Sequence, residues 1–504
     1  MAFARCRCRA LQGLDAPAVN VEVLLDGGLP SFTLVGLPEA AVRESDERVR
    51  GALRSAGFDF PRGRITVNLT PADLPKSGSR FDLPIALGIL LASGQLPSDA
   101  LDDLEVFGEL SLEGDIRSIR GALPATLAAA GAGRGVLIPA ANAQEAALAN
   151  GAAVYPARHL LEATAHLRAV QMIEPVGPTP IKTAGLDPTP LAAIRGHAGP
   201  KRALLIAAAG RHNLLMSGPP GSGKSMLARA LPILLPPLEA GEALAIASIG
   251  SLAAEYRVRD GVGRPFRAPH HTASVTALTG GGSDARPGEI SLAHGGVLFL
   301  DEIPEFSRAA LEALREPLET GRINISRARA KAEYPAAFQL VGAMNPCPAG
   351  HACTRLDNCV CPPDAARRYR SRLSGPLLDR IDIGVDVPAV DSSTLRAAFT
   401  GAAGDPDFRD APDLAQAARR RALTRQGCAN ADLGPAATER NCAPDAAGLD
   451  LLMRATDRLG LSARGWHRCL RVARTIADLS EAAEIGRAHV AEALALRTSS
   501  LARD

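Results

Sequence analysis

Eight residues, Gly218, Pro219, Pro220, Gly221, Ser222, Gly223, Lys224 and Ser225, have the spacing of a loop that wraps phosphate. An apolar run from Leu214 to Met216 leads into them, and a helical pattern follows. Glycines at 221 and 223 let backbone N–H groups turn toward an anion without interference from Cβ. The helix that follows starts with its positive dipole end on the same anion. Lys224 is then placed to reach the β- and γ-phosphates of a nucleotide, and the Ser225 hydroxyl to bind Mg²⁺. The lysine stands out because only five of the 56 basic residues are Lys.

Nucleotide hydrolysis needs an acid as well as a cradle. Val297 to Leu300 is an apolar run behind two glycines and reads as a buried parallel strand, with Asp301 and Glu302 emerging at its end. Sites in α/β sheets lie at that end of the strands. Asp301 is expected in the Mg²⁺ shell, and Glu302 as the group that polarises the attacking water. A second apolar run, FQLVGAM, ends in Asn345, an amide suited to orienting that water or touching the γ-phosphate. Arg380, in SGPLLDRID, is a candidate guanidinium for the transition-state charge, given in trans by a neighbouring subunit. Ser462 reads as the N-cap of a helix with Arg464 in its first turn, where it would lean over the nucleotide; Arg468, one turn on, is its rival.

These groups must be held by a chain of 504 residues, long enough for about three domains. The first part reads as mixed α/β: RITVNLTP as a strand, FDLPIALGILLASG as a helical core segment, LEVFGELSLEGDIRSIRG as a hairpin turning at Glu113-Gly114. Residues 166–187 are rich in Pro and Gly and poor in periodicity, the composition of a linker. Strand-like runs then alternate with helical patterns, which predicts a parallel sheet. Beyond about 393 the chain reads as helical. A net charge of +2 excludes a globally basic surface, so any nucleic-acid contact must be local. No apolar core follows the basic N-terminal residues and the longest apolar stretch is near ten residues, so a cytoplasmic protein without a membrane span is expected. Nine cysteines, an odd number, fit reduced thiols or a metal site better than a disulfide framework.

In this order the motifs resemble an AAA+ ATPase. The segments RPFRAPHHTAS, GGGSDARPGEISLAHGGVLFLDE, RYRSRLSGPLLDRIDI and LSARGWHRCLRVARTIADL resemble the magnesium-chelatase-like group, and more narrowly the ComM (YifB) family of bacterial competence proteins, over nearly the whole chain. The resemblance implies an α/β fold of three domains and a linker: an N-terminal Lon-protease-like α+β domain (1–165), then the linker (166–187), an AAA+ P-loop core with a parallel sheet (188–392), and a C-terminal helical lid (393–504). It implies ATP and Mg²⁺ as cofactors and a hexameric helicase-like motor on branched or single-stranded DNA. Such a motor would promote branch migration during natural transformation and homologous recombination, with recombination proteins as candidate partners. A chelatase motor subunit and an ATP-driven protein remodeller are the competing readings. PKSGSRFDLPIALG resembles the Lon catalytic segment, but Arg80 stands at the nucleophile position and the position of the catalytic lysine falls near Leu123. Ser77, Ser79 and Lys76 are nearby substitutes, and a catalytically inactive domain is expected.

Related motors place a hairpin before the Asn345 strand, pointing into the ring channel. Here ETGRINIS and AEYPAAFQL flank RARAK, so Arg327, Arg329 and Lys331 would meet phosphates by charge; a solvated basic turn is the alternative. With 3% aromatic residues, base stacking is not the main mode of binding. Cys347, Cys353, Cys359 and Cys361 fit either a structural zinc site or reduced loop cysteines. Relatives carry CPCG where this chain has CPAG, with Ala349 in place of a second thiol; Cys353 or His351 would have to substitute. His270 and His271 are expected to be structural or coupling residues, because neighbours on a strand or helix diverge and chelate poorly together.

Overall fold

The computed structural model describes residues 1–183, 191, 194–255, 261–282, 285–326, 331–349, 361–389 and 408–501. The N-terminal part is a seven-stranded mixed sheet. Its strands are β1 (Ala2–Arg9), β2 (Ala18–Asp26), β3 (Ser31–Val35), β4 (Arg64–Thr70), β5 (Leu104–Val106), β8 (Gly135–Pro139) and β9 (Val154–Ala157), in the order β3-β4-β2-β1-β5-β8-β9. The expected hairpin is the short pair β6 (Glu109–Leu110) and β7 (Ile116–Arg117), with Gly114 at φ +97 in its turn. Period-two alternation decides which face is covered: Val19, Val21 and Val23 of β2 and Ile65, Val67 and Leu69 of β4 all point inward. They meet the helix Asp82–Ala92, in which every residue from Leu83 to Leu90 is buried. A helix apolar on all sides belongs in a core. Its first residue, Asp82, is buried too, accepting from Ser45 Oγ at 2.5 Å and Arg48 Nε at 2.7 Å. Cys6 and Cys8 of β1 point into the same core, and burial pushes both thiols up to about 12.

Of the linker expected at 166–187, residues 166–167 close a helix, residues 168–183 are tied to both flanking parts, and 184–187 lie outside the described residues. Thr179 N donates to Ala147 O at 2.9 Å and Val262 N to Lys182 O at 2.8 Å, and Ile173 and Val176 pack on the N-terminal core. Extended chain of this kind shows no period for its tertiary hydrogen bonds to betray.

The second sheet holds β10 (Leu214–Ser217), β11 (Phe266–Arg267), β14 (Val297–Leu300), β17 (Gln339–Met344) and β18 (Ile383–Asp386) in the order β11-β14-β17-β10-β18, and every pairing is parallel. β10, β14 and β17 are buried along their whole length, as expected of strands covered on both faces. Two excursions leave the sheet: β12 (Gly280–Gly281) with β13 (Arg286–Pro287), and the hairpin of β15 (Arg322–Ser326) with β16 (Lys331–Pro335). Residues 408–501 are helical. Their long helix Ala463–Leu479 docks on the sheet through Asp382, whose Oδ1 lies 3.7 Å from Arg468 Nε and whose Oδ2 accepts from Asn213 N at 3.1 Å. No described helix is long and apolar enough to cross a membrane.

Candidate active site

Strand order brings the chemistry together. β17 lies between β10 and β14, with Ser217 opposite Met344 and Leu300 opposite Gly342, so the phosphate loop, Asp301 and Asn345 emerge side by side at one end of the sheet. Lys224 opens the helix Lys224–Leu234. Its ammonium is buried and donates to Gly218 O at 2.7 Å, Pro219 O at 2.9 Å and Asn345 Oδ1 at 3.3 Å. Burial pulls its pKa below the ordinary value, against the opposing pull of Asp301 and Glu302. Ser225 Oγ donates to Asp301 Oδ2 at 2.8 Å.

The loop fits a nucleotide. Gly221 and Gly223 take φ of +75 and +87, and a Cβ at Gly221 would meet nothing within 4 Å, which leaves open space above the loop. At Gly218 a Cβ would overlap Val387 O, so the backbone there tolerates no side chain. The Ser222 hydroxyl is buried without a hydrogen-bond partner, and an anion seated on the loop would supply an acceptor. Ser225 and Asp301, already facing each other, could supply oxygen ligands to a Mg²⁺ ion.

Glu302 has a left-handed backbone, φ +51, uncommon for a residue with a side chain and often found at functional sites. Its N–H donates to Asp301 Oδ1 at 3.0 Å. Its carboxylate lies 3.5 Å from His271 Nδ1. β11 ends at Arg267, and His270 and His271 sit in a turn, not on a strand or helix, so their rings do not diverge and lie 4.2 Å apart. Their Nδ1 atoms serve different partners: His270 contacts Thr272 Oγ1 at 2.8 Å, and His271 faces Glu302.

Arg380 lies just beyond a four-residue helix, Gly375–Leu378, and three residues before β18. It is therefore at the end of the sheet opposite the phosphate loop. Its guanidinium pairs with Glu319 and donates to Pro376 O at 2.6 Å. Arg464 is exposed in the first turn of its helix, whose N-cap Ser462 accepts from Gly465 N at 3.1 Å as expected. Arg468 is buried, and its partner Asp382 adjoins the starts of β10 and β18, again the end away from the loop.

Lys331 is exposed at the start of β16, paired across the hairpin with Ser326; Arg327 and Arg329 lie outside the described residues. Cys347 is buried and Cys361 partly buried in one small cluster with Ala366, while Cys353 and Cys359 lie outside the described residues. Among the described residues no three His, Cys, Asp or Glu side chains stand together as a metal site. In the N-terminal domain Arg80 is buried, donates to Arg120 O, and is pulled down to about 10 by burial. Lys76 is fully buried and donates to Pro71 O, and Leu123 is fully buried.

Two neighbours of the site were not singled out from sequence. His197 precedes the helix Ala198–Gly210; its Nε2 is buried without a partner and would lie 3.7 Å from a Cβ at Gly223. Tyr369 is buried and hydrogen-bonded to the backbone of Asn345. Neither carries a local pattern; the Gly-His pair before a helix was the only cue.

Fold and site define a P-loop ATPase of the AAA+ type: a parallel sheet with its phosphate loop after an internal strand, and a helical region packed behind it. Three family models match: "Magnesium chelatase, subunit ChlI" at 190–395, "Subunit ChlI of Mg-chelatase" at 21–142, and "Magnesium chelatase, subunit ChlI C-terminal" at 413–497. The competence protein ComM of Haemophilus influenzae is 47% identical over 99% of this chain and 98% of its own length. YifB of Escherichia coli (strain K12) is 44% identical over 99% of this chain and 97% of its own. The chain belongs to the ComM (YifB) family of magnesium-chelatase-like AAA+ ATPases. The 38 kDa magnesium-chelatase subunit of Cereibacter sphaeroides is 29% identical over 32% of this chain.

Proposed function

We propose that this chain is an ATP-driven DNA motor of the cytoplasm, assembled as a hexameric ring, that promotes branch migration during natural transformation and recombination. The observation that carries the reading is covalent continuity. The hairpin that bears Lys331 runs through Ala336–Phe338 straight into β17, and β17 is followed directly by Asn345, which touches Lys224. A phosphate backbone held by Lys331, with Arg327 and Arg329 as its neighbours in sequence, would thereby be one strand away from the nucleotide. Kinship to the competence protein ComM of Haemophilus influenzae supports the same reading.

In this reading Lys224 and the loop N–H groups hold the phosphates, and Ser225 and Asp301 hold Mg²⁺. The ion would neutralise charge on the phosphoryl oxygens. Glu302 accepts the proton of the attacking water once it turns from His271. Asn345 orients that water. Arg380 lies at the far end of its own sheet, so it serves the nucleotide of a neighbouring copy, exchanging Glu319 for phosphate. Arg464, exposed where Arg468 is buried, is the lid residue that closes over nucleotide.

The second reading, the motor subunit of a chelatase, is favoured by the names of the three family models. One experiment separates the two. Purified protein with ATP and Mg²⁺ is given a labelled four-way junction, beside Lys224→Ala. ATP-dependent conversion lost in the variant supports the DNA motor. Hydrolysis that neither moves the junction nor responds to DNA rejects it in favour of a partner-directed motor.

A further inference from the structure

A two-stranded ribbon is marginally stable in water by itself. The β15–β16 hairpin must therefore borrow stability. One face of it, Ile323, Ile325, Ala332 and Tyr334, is buried, while Asn324, Ser326, Lys331 and Glu333 face outward. Part of the cover comes from its own domain. Tyr334 Oη donates to Ala285 O at 2.9 Å, and Gly280 of β12 lies so close that a Cβ there would stand 2.8 Å from Ile325 Cδ1.

The rest of the cover comes from the N-terminal domain. Residues 10–17 join β1 to β2, and Leu11 and Leu14 of this turn pack into the same apolar cluster as the buried face of the hairpin. Between them Gly13 is buried with φ +66, and a Cβ on it would stand 2.8 Å from Glu333 O and 3.5 Å from Ala332 Cβ. Backbone thus lies against backbone one and two residues from Lys331. The turn is stiff. Ala10 N donates to Pro17 O at 3.0 Å and Gln12 N to Asp15 O at 2.9 Å. At its base the buried Arg9 donates to Ala16 O at 3.0 Å and is clamped by Glu105 at 2.6 and 2.8 Å. Leu11 also packs on the N-terminal core, so one side chain belongs to both. Beside the turn the two domains part around a cavity of about 1430 Å³ lined by Leu11, Gly13, Arg80, Arg286 and Tyr334. The turn is a bridge at the edge of that space.

We propose that the N-terminal domain, lacking a serine at the protease position, serves as a brace for the hairpin: Leu11, Gly13 and Leu14 position the strand that carries Lys331. A load on the hairpin tip then reaches the N-terminal domain as well as the nucleotide site. The functional half of this proposal rests on the DNA-motor reading; the structural half does not.

The test uses the full chain and two variants, Leu14→Ala, which removes packing without strain, and Gly13→Val, which drives a side chain into Glu333. Amide hydrogen exchange at Ala332–Tyr334 is measured without DNA, and ATP hydrolysis with and without a four-way junction. Exchange is expected to rise about tenfold or more as the ribbon loosens. The rate without DNA should stay within about twofold, and stimulation by the junction should fall at least about fivefold, because the brace acts on coupling and not on the phosphate loop. Leu14→Met should restore both. Unchanged exchange in both variants overturns the brace, whatever the response to DNA. Faster exchange with full stimulation overturns its role in coupling. A wild-type protein indifferent to DNA defeats the motor reading, while the exchange data still decide whether the brace exists.

Discussion

Replacing Glu302 with glutamine keeps the shape of the side chain and removes its ability to take a proton. The cost to folding is small. The carboxylate is 51% exposed, and the contact it would lose, His271 at 3.5 Å, is of the exposed kind that contributes roughly 0–1 kcal/mol. The turn itself stays, because Glu302 N still donates to Asp301 Oδ1 at 3.0 Å. Lys224, Ser225 and Asp301 are untouched, so nucleotide affinity should hold within about threefold. A positioned base contributes about 10²–10⁴ in rate, which at 1.36 kcal/mol per tenfold is roughly 3–5 kcal/mol of barrier. Phosphate release should therefore fall at least about a hundredfold while a fluorescent ATP analogue still binds. Lys224→Ala should behave oppositely: Gly218 O, Pro219 O and Asn345 Oδ1 lose their donor, and binding itself fails. Turnover within about fivefold of wild type in Glu302→Gln would refute the assignment of the base. Loss of ATP binding in that variant would refute the separation of binding from chemistry.

On the proposal that Arg380 serves a neighbouring copy in a ring, Arg380→Ala mixed one-to-one with wild type should lower turnover by more than dilution alone; a rate equal to the average of the two pure proteins sinks action in trans. His294 is held neutral by burial, with Arg211 adding to the effect, so its pKa falls from 6.5 to about 4. The unfolded chain binds the extra proton between those values, so stability drops as pH falls, by about 2 kcal/mol between pH 7 and 5. Urea unfolding at the two pH values should show that slope in wild type and lose it in His294→Gln. Burial raises the pKa of Asp382, but His212, Arg471 and Arg468 outweigh it and hold the carboxyl below its ordinary value. Asp382→Ala leaves the buried Arg468 with the more distant Asp379, at 4.0 Å, and should cost about 3 kcal/mol and loosen the C-terminal helices; an unchanged urea midpoint would show that the charge is dispensable there.

What the sequence made legible was local. The phosphate loop is eight consecutive residues between an apolar strand and a helix, and Asp301-Glu302 follows four apolar residues; each pattern is complete within a dozen positions. The parallel sheet and the helical end were legible in alternating patterns, while the protease-like character of the first part came from resemblance. Properties that depend on strand order were hidden. Asn345 touches Lys224 because β17 is inserted between β10 and β14, and no run of residues announces that order. The same order puts Arg380 and Arg468 at the far end of the sheet, a placement that no local pattern announces. The closeness of the two histidine rings was hidden because β11 is only two residues long and a turn begins beyond it, where neither strand nor helix geometry applies. The strap at 168–183 was hidden for a related reason: hydrogen bonds to distant backbone leave no trace in side-chain pattern.

The buried cysteines of the N-terminal core have a practical side. Cys6 and Cys8 are sealed inside the sheet, and Cys442 and Cys469 are sealed among the C-terminal helices, with all four thiols pushed up to about 12 by burial. A thiol in that state is close to inert toward alkylating reagents until its surroundings open. The chain therefore carries two built-in clocks, one at each end. The order in which the two pairs become reactive under rising denaturant reads out which end lets go first, with no label added and no residue changed.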